Sequence, residues 1–174
     1  MSTKIILENV RLSFCNLFSP RAISEGSEPK YSVCALISKK DKELLKKIQL
    51  AISSEIAVKW GTKVPLKLKT PLKDGDIEAS ESCGPEFEGC MFLNCNSLRK
   101  PQVALRNGSA AIDDESIYSG CWADVYVTFY SYSKEVNKGI SCSLNGVQKI
   151  KDDESFAGSL KIEFKTIEAE DEDI

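Results

Sequence analysis

No histidine occurs anywhere in the 174 residues, and that absence excludes a large part of enzyme chemistry. It removes the Ser-His and Cys-His nucleophile systems, the commonest general acid/base and the commonest metal ligand. Long apolar runs are missing too. Nothing approaches the roughly 20 consecutive apolar residues that cross a bilayer as a helix, so no membrane partner is expected. No secretory signal is expected, because MSTKIILENV carries one lysine and then alternates, reading as a strand. A cytoplasmic protein is the expectation. No internal repeat is visible, and the length suits one domain with a real core better than two.

Cysteine, by contrast, is plentiful. Seven residues, an odd number, in a chain without a signal peptide point to free thiols in a reducing compartment. Cys83, Cys90 and Cys95 are separated by six and four residues. Structural zinc prefers two close pairs, so no metal site and no cofactor is expected there. Asp74-Gly75-Asp76 could hold a divalent ion, but Asp and Gly together first of all form turns.

The whole-chain charge of −3 conceals an asymmetry. Residues 152–174 carry nine carboxylates against Lys161 and Lys165, a net of −7, which leaves +4 on residues 1–151. The expected organisation is therefore a mildly basic domain over 1–151 and an acidic C-terminal tail over 152–174. The tail residues Glu168, Glu170, Asp171, Glu172 and Asp173 sit among too few apolar residues to fold alone, so a disordered tail is expected.

Along the chain, residues 4–14 alternate as a strand with Ile6, Val10, Leu12 and Phe14 on one side. Residues 15–30, with Pro20, Gly26 and Pro29, read as a loop, and 31–38 as a second strand. Ser38 or Asp41 can cap a helix over about 41–60 whose apolar positions are Leu45, Ile48, Ile52, Ile56 and Trp60, stopped by Gly61. Residues 61–87 read as an irregular excursion with one short strand, 89–96 as a third strand, and 101–118 as a loop of weak β character. The clearest strand is 119–133. A turn around Asn137, Lys138 and Gly139 leads into a last strand over 139–150, with Asn145-Gly146 as a bulge. Several strands, one helix and long loops predict an all-β architecture with one helix (a β-rich α+β class), most simply a Greek-key barrel. An open α+β sandwich fits the same pattern.

The strand at 119–133 has two different faces. Cys121, Ala123, Val125, Val127 and Phe129 suit a core, whereas Trp122, Tyr126, Tyr130 and Tyr132 share the other side with Asp124 and Thr128. A merely solvated face would carry Lys, Glu and Thr. Aromatic rows beside cations bind single strands, each stacked base being worth roughly 1–3 kcal/mol. A second packed layer, with the tyrosine hydroxyls bonded at its rim, is the competing reading. Cations are at hand: Lys59, Lys63, Lys67, Lys69 and Lys73 recur along one excursion, Arg99, Lys100 and Arg106 follow the third strand, and Lys134 and Lys138 flank the turn. Exposed cations of this kind neutralise phosphates; lysines scattered over loops are also ordinary surface.

The blocks VRLSFCNLFSP (10–20), KYSVCALISKKD (30–41), PLKDGD (71–76), GCMFLNCNSLRKP (89–101), YSGCWADVYVTFYSY (118–132) and NKGISCSLNGVQKIKD (137–152) occur in order. Together they resemble a phage and prophage family of OB-fold single-stranded DNA-binding proteins, formerly catalogued as a domain of unknown function. The resemblance implies an OB barrel, sequence-independent binding of single-stranded DNA, and work in phage DNA replication or recombination in the bacterial host cytoplasm. It also implies an acidic tail that recruits replication or recombination proteins; that the tail modulates DNA binding, by lying across the basic groove until phosphates displace it, is expected from its charge. Position 90 is Cys where many members carry His. The resemblance transfers no individual DNA contacts, and a homodimer is compatible with it. Two other classes are weighed beside this one. A metal-dependent nuclease would use Asp74, Asp76 and Glu78 but lacks a histidine base. An assembly protein would use the aromatic row as a protein interface. A binding protein without enzymatic activity is the expectation.

Overall fold

The computed structural model describes residues 3–22, 25–79, 83–113, 115–156 and 165–166. Seven strands and one helix follow in the order β1 (Thr3–Arg21), β2 (Lys30–Ser38), α1 (Lys42–Trp60), β3 (Leu72–Asp74), β4 (Cys90–Ser97), β5 (Gln102–Ala104), β6 (Trp122–Lys134) and β7 (Asn137–Lys151). The long β1 pairs antiparallel with β2 through one half and with β6 through the other. β2 pairs antiparallel with β4, and β6 with β7. A parallel pairing of β7 with β4, at Asn96 and Ser143, closes the ring. The result is a closed five-stranded barrel with the OB connectivity, β4-β2-β1-β6-β7, and not an open sandwich. β3 and β5 are short additions on β4 and β7.

Alternation fills the barrel. Ala123, Val125, Val127 and Phe129 of β6 point inward and are buried, as do Ile140, Cys142, Leu144 and Val147 of β7. Between Leu144 and Val147 the register slips, with Tyr126 opposite Gly146 and Val127 opposite Leu144. Asn145 is the extra residue, so the bulge lies where the sequence places it. Helix α1 lays Leu44, Ile48, Ala51 and Ile52 on β1 and β6. Its N-cap is Asp41, whose carboxylate accepts from the Leu44 N–H, and Gly61 ends it at φ 60°. The packed face is turned slightly from the expected one. Leu45, Ile56 and Trp60 only border the core, and buried Glu55 accepts from Thr3 Oγ1 at 2.8 Å.

Three expectations about local structure fail for identifiable reasons. β1 runs to Arg21 and absorbs the first part of the expected 15–30 loop, because β2 pairs with it as far as Arg21–Lys30. Two residues of β1, Asn9 (φ 51°) and Phe14 (φ 48°), sit in the left-handed region where its register slips. Each reverses the phase of the alternation. Leu7 instead of Ile6 therefore enters the core, and Phe14 is 44% exposed. Finally, the hairpin turn is Glu135-Val136, with Asn137, Lys138 and Gly139 already paired in β7.

β2 is covered on both sides, which explains its unbroken apolar run. Val33, Ala35 and Ile37 face the barrel interior, while Cys34 and Leu36 lie under a small outer cluster with Phe87 and Phe92. Residues 152–156 return across the barrel surface, as described below. The tail residues Glu168, Glu170, Asp171, Glu172 and Asp173 lie outside the described residues.

Candidate nucleic-acid interface

The outward side of β6 carries the row expected from the sequence. Tyr126 and Tyr130 are 38% and 37% exposed, and Thr128 and Tyr132 are half-buried between and beside them. Their partners on β7 are Gly146, Ser143, Ser141 and Gly139. On the β7 side, glycine and serine leave the rings open, while on the β1 side Ile6 stands opposite Tyr126 and Lys4 opposite Thr128. Beyond the β4–β7 seam the surface continues through Asn96 and Asn94 of β4 to Ser32 of β2. A floor of small polar side chains thus runs across four strands, with tyrosines along one side.

Cations line this floor. One hollow holds Lys69, Lys73, Asn94, Asn96, Tyr132 and Ser141; a second holds Lys30, Arg99, Asn96, Thr128, Tyr130 and Ser143. A third, around Phe14 and Arg21, shares Lys73 and Asn94 with the first. The shared residues make one continuous furrow, in which Glu78 is the only acidic side chain among the described residues. Arg21, Lys30, Lys73 and Arg99 make no ion pair among the described residues. Lys69 is brought here by backbone pairing with β7: its N–H donates to Lys138 O at 3.0 Å and its carbonyl accepts from Ile140 N at 2.9 Å. A Cβ on Gly139 would stand 2.4 Å from that carbonyl, so only glycine admits the segment.

The other sequence-derived cations are placed differently. Lys100 lies 5.3 Å from the Phe18 ring, and Lys67 is exposed two residues before Lys69. Lys134 and half-buried Lys138 flank the hairpin turn. Arg106 is near Tyr126 through its carbonyl, which accepts from Gln148 Nε2, a residue of the Tyr126 hollow. Lys59 and Lys63 are at the C-terminal end of α1 and do not line the furrow. Arg21, Lys30, Asn94, Asn96 and Phe14 are the furrow residues that sequence reasoning missed. Lys30 directly precedes the YSVCALIS strand and was readable as its first residue.

Trp122 stands at the far end of the row, beyond Asp124, whose carboxylate accepts from the Asn9 N–H at 2.8 Å. Its surroundings are unlike those of the tyrosines. The indole N–H donates to Asp153 Oδ2 at 2.8 Å, with Lys151 5.0 Å and Arg11 5.9 Å from the ring. Arg11 also bonds the carbonyls of Gly120 and Glu154, both at 2.9 Å, and covers the Phe156 ring at 4.3 Å. Lys149 pairs with Asp152 at 2.6 Å, and the Tyr118 hydroxyl bonds the same carboxylate. Residues 152–156 therefore form a strap over this end. Gly120, at φ 121°, makes room for it, since a Cβ there would meet Glu154 O at 2.2 Å. The Lys149 ammonium holds the Asp152 carboxyl below its ordinary range, and the indole N–H does the same for Asp153.

Elsewhere the candidate metal residues do not converge. Cys95 is inside the barrel beside Cys142, whereas Cys83 and Cys90 border the outer cluster. Asp74 and Asp76 both pair with Lys39, which lowers the carboxyls of both, and Glu78 caps the Asp74 N–H. Burial pushes the Cys15 thiol up to about 12, the form that is a poor nucleophile.

Comparison with known proteins gives a consistent result. The family model described as the single-stranded DNA-binding protein of Enterobacter phage Enc34 matches residues 3–174. Putative protein p50 of Acyrthosiphon pisum secondary endosymbiont phage 1 is 34% identical over 165 residues, covering 89% of this chain and 87% of that one. The single-stranded DNA-binding protein from bacteriophage Enc34, solved in complex with single-stranded DNA, superposes with a TM-score of 0.78 at 30% identity, covering 88% of this chain and 89% of the other. The gp2.5 single-stranded DNA-binding protein of bacteriophage T7 shares the fold, with a TM-score of 0.56 at 14% identity, covering 97% of this chain and all of the other.

Proposed function

Because the chain belongs to the family of the Enterobacter phage Enc34 single-stranded DNA-binding protein, we propose that it binds single-stranded DNA without reading sequence and serves phage DNA replication or recombination. It is a binding protein and not an enzyme. The strand runs along the furrow, its bases stacking on Tyr126, Tyr130 and Tyr132 and its phosphates meeting Lys30, Lys69, Lys73 and Arg99. Stacking tolerates every base because every base has a π-face, and the floor of Ser and Asn side chains both donates and accepts. Trp122 serves as a terminal platform, its edge held by Asp153. Lys67, Lys100, Arg106, Lys134 and Lys138 supply outer phosphate contacts, and Lys59 and Lys63 add general positive field.

The observation that carries this reading is the pairing of open tyrosine rings with furrow cations that make no ion pair among the described residues. A row of ammonium and guanidinium groups beside exposed rings, with Glu78 as the single carboxylate among the described furrow residues, matches an anionic polymer with flat bases, and matches a protein partner less well. The acidic residues Glu168, Glu170, Asp171, Glu172 and Asp173 complete the proposal: they compete with phosphates for the same cations and, once displaced, engage basic replication or recombination proteins in the host cytoplasm.

Fluorescence anisotropy with labelled oligo-dT and with duplex of equal length tests the reading. Tight, salt-sensitive binding of oligo-dT over duplex is the expected result. Equal or absent binding refutes it, and cleavage of the oligonucleotide would return the nuclease alternative. Truncation after Ile167 is expected to tighten oligo-dT binding at low salt; an unchanged affinity removes the tail from the account.

A further inference from the structure

A second aromatic group borders the furrow on the side opposite the tyrosines. Phe14 stands at φ 48°, a conformation that bulky L-residues rarely adopt, and its ring is 44% exposed. Its ring centroid is 6.1 Å from that of buried Phe87, so one side of the ring is backed by protein. A residue placed merely to fill space would not combine an unfavourable backbone with an open ring. Backbone strain of this kind gathers at binding sites, where the surrounding structure maintains it.

The chemistry around the ring suits a nucleobase. Asn16 donates its amide hydrogens to Phe14 O and Ser32 Oγ, which fixes the amide and presents its carbonyl oxygen as an acceptor. Asn94 is exposed and its side chain makes no hydrogen bond among the described residues, so the amide can donate and accept. Arg21, Lys73 and Glu78 border the same hollow of about 470 Å³, and neither cation makes an ion pair among the described residues. Lys73 and Asn94 also line the neighbouring part of the furrow, so a strand lying there reaches Phe14 without leaving the surface.

We propose that the Phe14 hollow is a further base-stacking subsite, taking one nucleobase of the same single strand on the β1–β2 side of the barrel. The inference rests on the single-strand reading above. From Phe14 on β1 across β2, β4 and β7 to Tyr130 on β6 there are four interstrand steps of roughly 4.8 Å each, about 19 Å along the surface. Short oligonucleotides can therefore occupy the tyrosines alone, while longer ones reach both groups.

The test is a length series of oligo-dT titrated against the full chain carrying Phe14→Leu, Phe14→Tyr or Tyr130→Leu. Phe14→Leu should weaken the longer oligonucleotides roughly tenfold, in line with one lost stacked base, leave the shortest binders unchanged and shorten the length at which affinity levels off. Phe14→Tyr should keep wild-type behaviour. Unchanged affinity of Phe14→Leu for every length, with Tyr130→Leu impaired, overturns the subsite and leaves the main reading intact. Failure of the wild-type chain to bind oligo-dT overturns both. If Phe14→Leu does not fold, ultraviolet cross-linking of wild-type protein to oligo-dT decides: an adduct on the Phe14 peptide supports the subsite, and adducts confined to β6 overturn it.

Discussion

The two ends of the β6 outer face carry the same kinds of side chain and differ in what those side chains already hold. At the Trp122 end, Arg11 and Lys149 are paired with Asp153 and Asp152, and the indole N–H is bonded to a carboxylate. At the Tyr126–Tyr132 end, the rings lie open toward Ser and Gly of β7, and the furrow cations Arg21, Lys30, Lys73 and Arg99 make no ion pair among the described residues. Aromatics beside cations thus occur in two different settings on one strand face. What separates the two regions is whether the protein itself supplies the anion.

That contrast can be broken in several ways. The largest effect is on salt. Five furrow cations, Arg21, Lys30, Lys69, Lys73 and Arg99, give an expected log–log slope of roughly −3.5 for oligo-dT affinity. Titrations at several salt concentrations check it, and a slope near zero means the furrow does not hold phosphates. Next is Gly139→Ala, which pushes the Lys69 segment away from β7. A loss of about 1–3 kcal/mol in stability, seen as a lower melting temperature, should accompany weaker oligo-dT binding. Lys73→Ala should be milder, reducing the salt slope by about 0.7 with folding unchanged.

The strapped end should respond in the opposite manner. Gly120→Ala collides with the Glu154 carbonyl and should free the strap, read as a red shift of Trp122 emission in a Trp60→Phe background, with little change in oligo-dT affinity. Acid should act in the same direction. Asp152 and Asp153 have lowered carboxyl pKa values, so the strap is favoured above the ordinary aspartate range and lost as pH falls through their own, lower values. Trp122 emission should therefore hold from neutral pH down through the ordinary aspartate range and shift only below it; Asp153→Asn should remove that step.

Much of the barrel was legible because alternation is a local signal. Ala123, Val125, Val127 and Phe129 declare their side of β6 in sequence, and so do the helix cap at Asp41 and the bulge at Asn145. Phe14 was misplaced for a physical reason. A left-handed residue inside a strand reverses the phase, and nothing in the residue types around Asn9 or Phe14 announces it. The furrow was half legible: the tyrosine row belongs to one strand, whereas Lys30, Asn94 and Asn96 join it only through the β2–β4 and β4–β7 pairings. The hydrogen-bonded surroundings of Trp122 were not legible because its carboxylate partner is residue 153, beyond the boundary assigned to the tail.

Oligo-dT titrations of Tyr130→Leu and Trp122→Leu side by side test the central claim most directly. The expected outcome is a loss of roughly tenfold or more for Tyr130→Leu, a smaller loss for Trp122→Leu, and an unaltered salt slope for both. Wild-type affinity in Tyr130→Leu, with the loss falling on Trp122→Leu instead, would contradict the assignment of the open tyrosine face as the path of the strand.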